Sequence, residues 1–519
     1  MKFYSPFLSR CCLAVLCYFL PAFPAVADEP PAARPNFLLI ISDDQRFDSL
    51  HGFMPQTEER IFARGIEFER AYATTSACCP SRSSMYTGLY ACRHMVRLNE
   101  DRLIFKTVFD DLKAAGYATA IAGKYLNSWP GRPRPEFDFW AVFPYGSMIY
   151  NRPIININGE LKRRDGYITD LLRDQALEFI DRQNPGGSPF MLVFAPNAPH
   201  SPAVPAEQDS LLYRDMPLYR PPGWGQKAPA DKPAWLKRRK IDRPELARTD
   251  ELRLRQYRTL ASLDRAVGSL LDRLEARQLL SSTVVMFISD NGLMWGEFGL
   301  VSKGYAYEPS VRVPFAITYP GLIEQPRLES ALVANIDIAP TIYELAGIQS
   351  GTSLDGMSLV PLLRGETSNW RTQLLIEGWV QNGGREPFTA VHTGRYKYIE
   401  NRSSEPELYD LLSDPYELDN LQGEPGYAQL QSTLKRDLKW KRHELKARLR
   451  TDLARLRARM SSRFKGAKKR VRILAARALH RARARRYAVD PQVRIHLAAV
   501  FGADSREARD PFQDYDDYR

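Results

Sequence analysis

Residues 36–45 read NFLLIISDDQ, an unbroken apolar run that stops at two acids. Residues 284–292, VVMFISDNG, repeat the pattern with nearly the same ending. FMLVFAPNAPH (190–200) is a third such run and closes on His200; ATAIAGKYLN (118–127) is a fourth and carries Lys124 near its end. Runs of this length bounded by Gly, Pro or Asp read as strands buried on both faces, which parallel sheets covered by helices require. Between them, the stretch from Leu252 to Leu280 has helical spacing, with Leu260, Leu263, Val267, Leu270, Leu271 and Leu274 on one side. The alternation predicts an α/β fold.

In open α/β sheets ligands gather beyond the carboxyl ends of the strands. Asp43, Asp44, Asp290, Asn291, His200 and Lys124 all fall there. The ISDD and ISDN endings would bring three carboxylates and one amide oxygen to neighbouring strand tips. Such a cluster repels itself unless a cation joins it, and Ca²⁺ or Mg²⁺ suits an all-oxygen donor set. Strand-end Asp residues also cap helices and turns, so capping stands as the alternative.

The chain starts with Lys2 and Arg10, an apolar run from Cys11 to Phe23, and Ala25-Val26-Ala27 before Asp28. That pattern predicts a signal peptide over residues 1–27 and an exported protein, periplasmic or secreted. No later run reaches the length of a membrane span. Cleavage would remove Cys11, Cys12 and Cys17 and leave Cys78, Cys79 and Cys92. Neighbouring Cα atoms lie only about 3.8 Å apart, so a Cys78–Cys79 bridge is strained, while Cys79–Cys92 is conceivable. An odd thiol remains either way, and Cys78 needs a reason to be there.

With 44% hydrophobic and 26% charged residues, the chain can bury a large core. Its net charge of +12 conceals a division: residues 435–486 hold 22 Lys and Arg against three acids, so the rest of the chain is mildly acidic. Leu449, Leu453, Leu456 and Met460 recur at helical spacing inside that basic segment. It reads as one or two amphipathic basic helices with a break near Gly466, either packed on the body by the leucine stripe or binding a polyanion or anionic membrane surface. Nucleic acid is excluded as a partner by export.

Cys78-Cys79-Pro80-Ser81-Arg82 has the form C-x-P-S-R, followed by Thr87-Gly88. GYATAIAGKYLN (116–127), APHSP (198–202), GEFGLVSKG (296–304), VRVPFAITYPG (311–321), HTGRYKYI (392–399) and LYDLLSDPYELDNL (408–421) accompany it in order. Over residues 35 to 435 this resembles the sulfatases of the alkaline phosphatase superfamily. The resemblance implies an α/β/α sandwich around a large mixed sheet, with a catalytic domain over 35–370 and a smaller C-terminal antiparallel-sheet subdomain over 371–434. The basic helical extension would follow over 435–487, and an acidic-ended tail over 488–519.

The family also implies chemistry. A maturation enzyme oxidises the first cysteine of the motif, here Cys78, to formylglycine, whose hydrate has one hydroxyl to attack sulfur and a second to expel sulfate. Asp43, Asp44, Asp290 and Asn291 match positions that hold Ca²⁺ together with that residue. Arg82 matches the arginine that holds the diol and the carboxylates, Lys124 and Lys303 match lysines that clamp diol and sulfate, and His200 matches the proton donor to the leaving oxygen. Leu126 stands where many arylsulfatases have a second histidine. GKYLN, CCPSR and QYRTLASLD (256–264) look more like the branch of N-acetylglucosamine-6-sulfatases and heparan endosulfatases, although Met294 departs from it. The expected substrate is a sulfated carbohydrate such as a glycosaminoglycan. The alternatives are phosphonate or phosphate ester hydrolysis on the same scaffold, or an unmodified, inactive polyanion binder.

Overall fold

Asn36–Ser42 is buried along its whole length and pairs in parallel with Thr283–Ser289 on one side and Phe190–Ala195 on the other. The computed structural model describes Met1 and residues 34–146, 149–379 and 385–463. In it a ten-stranded sheet runs in the order 327–329, 66–68, 315–318, 283–289, 36–42, 190–195, 118–123, 139–142, 154–157, 160–163. The five strands from Thr283–Ser289 to Phe139–Val142 are all parallel, and antiparallel pairings appear only toward the edges. All four apolar runs are therefore parallel neighbours, and their carboxyl ends share one edge.

Alternation along the central strand divides the core. Phe37, Leu39 and Ile41 join one apolar cluster with Met85, Val108, Phe109 and Ile342; Leu38 and Ile40 join another with Leu172, Leu260, Leu263 and Leu270. Helices Cys78–Thr87, Val108–Ala114 and Ile338–Leu345 supply the first face. Helices Ile168–Asp181 and Arg243–Ala276 supply the second. The molecule is an α/β/α sandwich, as a sheet buried on both faces demands.

A four-stranded antiparallel sheet follows, Leu374–Gly378, Phe388–His392, Tyr396–Asn401 and Glu407–Asp410. Its first strand reaches back to the body, where Glu377 N–H donates to Thr74 O at 2.8 Å, close upstream of Cys78. Helix Ala428–Arg463 then packs on this sheet through Leu434, Leu438 and Leu445. Leu449 and Leu453 are buried too, and Asp452 pairs with buried Arg93, which also binds Asp355 at 2.6 Å. Packing by the leucine stripe thus accounts for this part of the basic segment. The side chains of Leu456 and Met460, the break near Gly466, the tail 488–519 and the signal peptide lie outside the described residues. No helix among the described residues is long and apolar enough to cross a membrane.

Candidate active site

The pairing of Ser42 with Ser289 sets the register that brings the two acidic endings together. Asp290 N–H donates to Ser42 O at 3.0 Å, and Asp44 N–H donates to Asp290 Oδ1 at 3.1 Å. Asp44 has φ 67°, a left-handed conformation that Asp tolerates better than most residues. The turn it makes points its carboxylate at Asn291, whose Nδ2 donates to Asp44 Oδ1 at 2.7 Å. His200 Nε2 lies 3.5 Å from Asp44 Oδ2.

Cys78 opens the helix Cys78–Thr87, with Ala77 extended as its cap and Gly88 closing it at φ 66°. A helix N-terminus favours negative charge. Cys78 Sγ sits 3.5 Å from Asp43 Oδ1 and receives a hydrogen bond from Lys303 Nζ at 2.6 Å. One turn along, Arg82 donates from Nε to Asp290 Oδ2 at 2.8 Å and from Nη1 to Lys124 O at 3.1 Å. Lys124 Nζ reaches Asp43 Oδ2 at 2.6 Å, and Lys303 Nζ also contacts Asp44 Oδ1. All nine residues expected from the sequence therefore lie in one cluster. Asp43, Arg82, Lys124, Asp290 and Asn291 are fully buried, whereas the His200 and Lys303 side chains keep 21% and 13% exposure, so the open side of the site lies with them.

Three carboxylates face three cations. Burial alone would raise Asp43, but Lys124, His200, Arg82 and Lys303 hold it far below the usual carboxylate range. Burial, then Asp43, raises Asp290. Burial opposes charge on Lys124 and Lys303, yet Asp43 for the first and Asp44 for the second keep both ammonium groups above their ordinary value. Cys78 moves up strongly through burial and then Asp43. Cys79, one residue on, rises to about 11 through burial and accepts Asn127 N–H at 2.9 Å.

The oxygens of Asp43, Asp44 and Asn291 are of the kind a hard divalent cation takes. Asp43, Asp44, Cys78 and His200 present ligand atoms within 4.8 Å of one another. Asn291 Oδ1 is buried with no partner in the structure, an orphaned oxygen that a cation would satisfy. Asp290 is differently placed, because each of its oxygens already accepts one hydrogen bond, from Asp44 N–H and Arg82 Nε, leaving one lone pair on each.

Cys78, Cys79 and Cys92 are buried and none is in a disulfide, so the conceivable Cys79–Cys92 bridge does not form. Cys79 instead turns its sulfur to a backbone N–H. Sequence reasoning missed the residues that steady the histidine loop: Tyr150 Oη donates to His200 O at 2.6 Å, and Gln256 Nε2 donates to Pro199 O at 3.2 Å. Tyr150 stands outside every quoted stretch and Gln256 opens QYRTLASLD, which by itself assigns it no such role; the two contacts join residues 50 and 57 positions apart.

Residues 35–348 match the family model described as Sulfatase. The chain belongs to the sulfatase family. Residues 296–444 also match the C-terminal model of N-sulphoglucosamine sulphohydrolase. The chain is 33% identical over 408 residues to the extracellular sulfatase SULF-1 homologue of Drosophila melanogaster, covering 73% of this chain and 36% of that one. It is 32% identical over 379 residues to the N-acetylglucosamine-6-sulfatase of Homo sapiens, covering 66% of this chain and 67% of the human one. It thus spans about a third of the first relative's length and two thirds of the second's. Both sides of the branch expected from GKYLN and CCPSR are represented. In fold, a protein solved in complex with its substrate D-glucosamine-2-N,6-O-disulfate superposes with a TM-score of 0.72 at 23% identity, covering 80% of this chain and 98% of that one.

Proposed function

We propose that this sulfatase-family protein hydrolyses the O–S linkage of a sulfate monoester on a sulfated sugar, with Cys78 as the precursor of its nucleophile. The observation that carries this reading is the convergence of Lys303 on Cys78, at the start of a buried helix, and of Arg82, Lys124 and His200 on the aspartates beside it. Burial and Asp43 keep the Cys78 thiol protonated at neutral pH, so the unmodified sulfur is a poor nucleophile. Formylglycine at this position, made by a maturation enzyme, would supply a hydrated aldehyde able to attack sulfur and then release sulfate. Asp43, Asp44, Asp290 and Asn291 would hold Ca²⁺ with residue 78, an ion that polarises a sulfate oxygen.

The chain's own groups do the rest. Lys303 and Lys124 place positive charge where the transferring group gathers negative charge. Arg82 pairs with both Asp43 and Asp290 and so offsets their charge beside the nucleophile. His200 Nδ1 lies 2.6 Å from the Ser201 carbonyl, which can only accept, so Nε2 is the nitrogen left to exchange a proton with the leaving oxygen.

Residues 1–27 fit a cleaved signal, in keeping with an extracellular relative. The catalytic part would cover 35–370 and the smaller subdomain 371–434. Lys435, Arg436, Lys439, Arg450 and Arg455 are exposed on the C-terminal helix and would meet a polyanion or an anionic membrane surface.

The deciding experiment measures sulfate released from N-acetylglucosamine-6-sulfate and an aryl sulfate, beside a phosphonate monoester. The protein used is one whose Cys78 peptide mass shows conversion. Sulfate release that fails in Cys78→Ala is expected. A phosphonate turned over faster than every sulfate, or full activity in Cys78→Ala, overturns the reading.

A further inference from the structure

Beside Cys78 the site opens into a cleft lined by Ser76, Asn99, Glu100, Lys303, Gly304 and Arg385. Arg385 belongs to the segment that leads into strand Phe388–His392 of the small sheet and lies outside every quoted motif. It is nevertheless clamped against the catalytic loop. Its Nη2 donates to Ser302 Oγ at 3.2 Å, and its guanidinium lies 5.6 Å from the Tyr305 ring centroid. Its stem crosses Gly304, where an added Cβ would come 2.6 Å from Arg385 Cδ. Gly304 is also left-handed at φ 95°, so a side chain there is excluded twice. Residues 302, 304 and 305 thus hold Arg385 while residue 303, between them, touches the Cys78 sulfur.

Two cations, Lys303 and Arg385, are in this way fixed on one cleft wall. Lys303 is already paired with Asp44, and Arg385 is held by Ser302 and Tyr305. The scissile sulfate occupies Lys303 in the function proposed above, on which this inference rests. That leaves Arg385 as the cation facing the remainder of the sugar. A guanidinium presents a planar fork of donors that matches the oxygens of a sulfate or carboxylate, and its clamping reduces the entropy lost on binding.

We propose that Arg385 recognises a second anionic group, sulfate or carboxylate, on the carbohydrate that carries the scissile sulfate. Arg385 is then a specificity-determining residue that makes the protein prefer multiply charged substrates. Asn99, whose Oδ1 accepts Cys79 N–H at 3.1 Å, and Glu100 would line the same cleft as groups for sugar hydroxyls.

The test compares three substrates on converted protein: N-acetylglucosamine-6-sulfate, glucosamine-N,6-disulfate, and a 6-sulfated disaccharide carrying a uronate. The readout is the ratio of kcat/KM for each doubly anionic substrate to that for the singly sulfated sugar. The expected ratio exceeds one in the wild type and falls roughly tenfold in Arg385→Ala, mainly through KM, with part restored in Arg385→Lys. Which doubly anionic substrate loses its advantage identifies the group as sulfate or carboxylate. A ratio unchanged in Arg385→Ala overturns the inference while leaving the sulfatase reading intact. Absence of sulfate release from every substrate overturns the sulfatase reading instead. If Arg385→Ala does not fold, Glu100→Gln removes the exposed acid of the same cleft and is expected to raise the ratio; a ratio that stays or drops counts against the inference.

Discussion

Lys303 Nζ stands 2.6 Å from Cys78 Sγ although the two residues are 225 positions apart. The same ammonium contacts Asp44, so one cation joins the residue that opens the helix Cys78–Thr87 to an acid just past the end of the central strand. Lys303→Ala removes that link and uncovers Asp44 in a buried cluster. Activity should fall by roughly a hundredfold or more, as for loss of a group that stabilises developing charge. Steady-state kinetics on sulfate esters check this, and a loss under threefold contradicts it.

The two adjacent cysteines should behave oppositely. Cys78 faces Asp43 and Lys303, whereas Cys79 turns to Asn127 N–H. Cys78→Ala and Cys78→Ser should lose activity by roughly a thousandfold or more, and Cys79→Ser should keep most of it. Equal loss in both would mean that the motif is read from the wrong cysteine.

Asn291 Oδ1 is buried and unpartnered, and Asp43 contributes to the cluster of ligand atoms within 4.8 Å of one another. Asp43→Asn and Asn291→Ala should both lower bound calcium and activity together, measured by elemental analysis after dialysis against a chelator. Calcium at full stoichiometry in both variants would place the ligands elsewhere.

The C-terminal helix sets a limit on truncation. Ending the chain before residue 445 exposes the core that Leu445, Leu449 and Leu453 cover and strips Asp452 from Arg93. Each leucine is worth about 2 kcal/mol of burial, so that truncation should unfold at clearly lower denaturant. Ending it after Arg463 should leave the midpoint nearly unchanged while weakening binding to a heparin-like polymer. Equal midpoints for the two truncations would show that the helix does not support the body.

His94 gives the protein an acid-sensitive element. Burial pushes its imidazole down to about 3 from 6.5. Nδ1 accepts Val96 N–H at 3.1 Å and Nε2 pairs with Ser84 Oγ at 3.0 Å, so the ring is held neutral. The folded value lies below the unfolded one, so on acidification the unfolded chain takes up the proton first. This contribution is whole above the unfolded pKa and drains as pH falls toward the folded one, at up to about 1.4 kcal/mol per pH unit. Urea midpoints of the wild type and His94→Gln, compared between about pH 7 and about pH 5, should show a shallower loss in the variant. Parallel loss in both would assign the acid sensitivity to other groups.

What the chain alone determined was local. Continuous apolar runs bounded by Gly, Pro or Asp read as strands buried on both faces with polar tips, and C-x-P-S-R with its companion stretches carries the resemblance to the sulfatases. The tertiary structure decided everything that depends on register and on distant segments meeting. Ser42 opposite Ser289 makes two separate acidic endings one site, because parallel pairing aligns carboxyl ends. It also divided roles inside the ligand set: each Asp290 oxygen already accepts one hydrogen bond, from Asp44 N–H or Arg82, whereas Asn291 keeps its oxygen buried and unmet. The basic segment looked like an extension because its charges dominate its composition. Leucines four and seven residues apart nonetheless bury one side of it, and Asp452 finds Arg93 359 positions away. Arg385 had no sequence signal at all, since neither composition nor spacing records which residue will cross Gly304; only the packing of the small sheet against the catalytic loop brings it to the cleft.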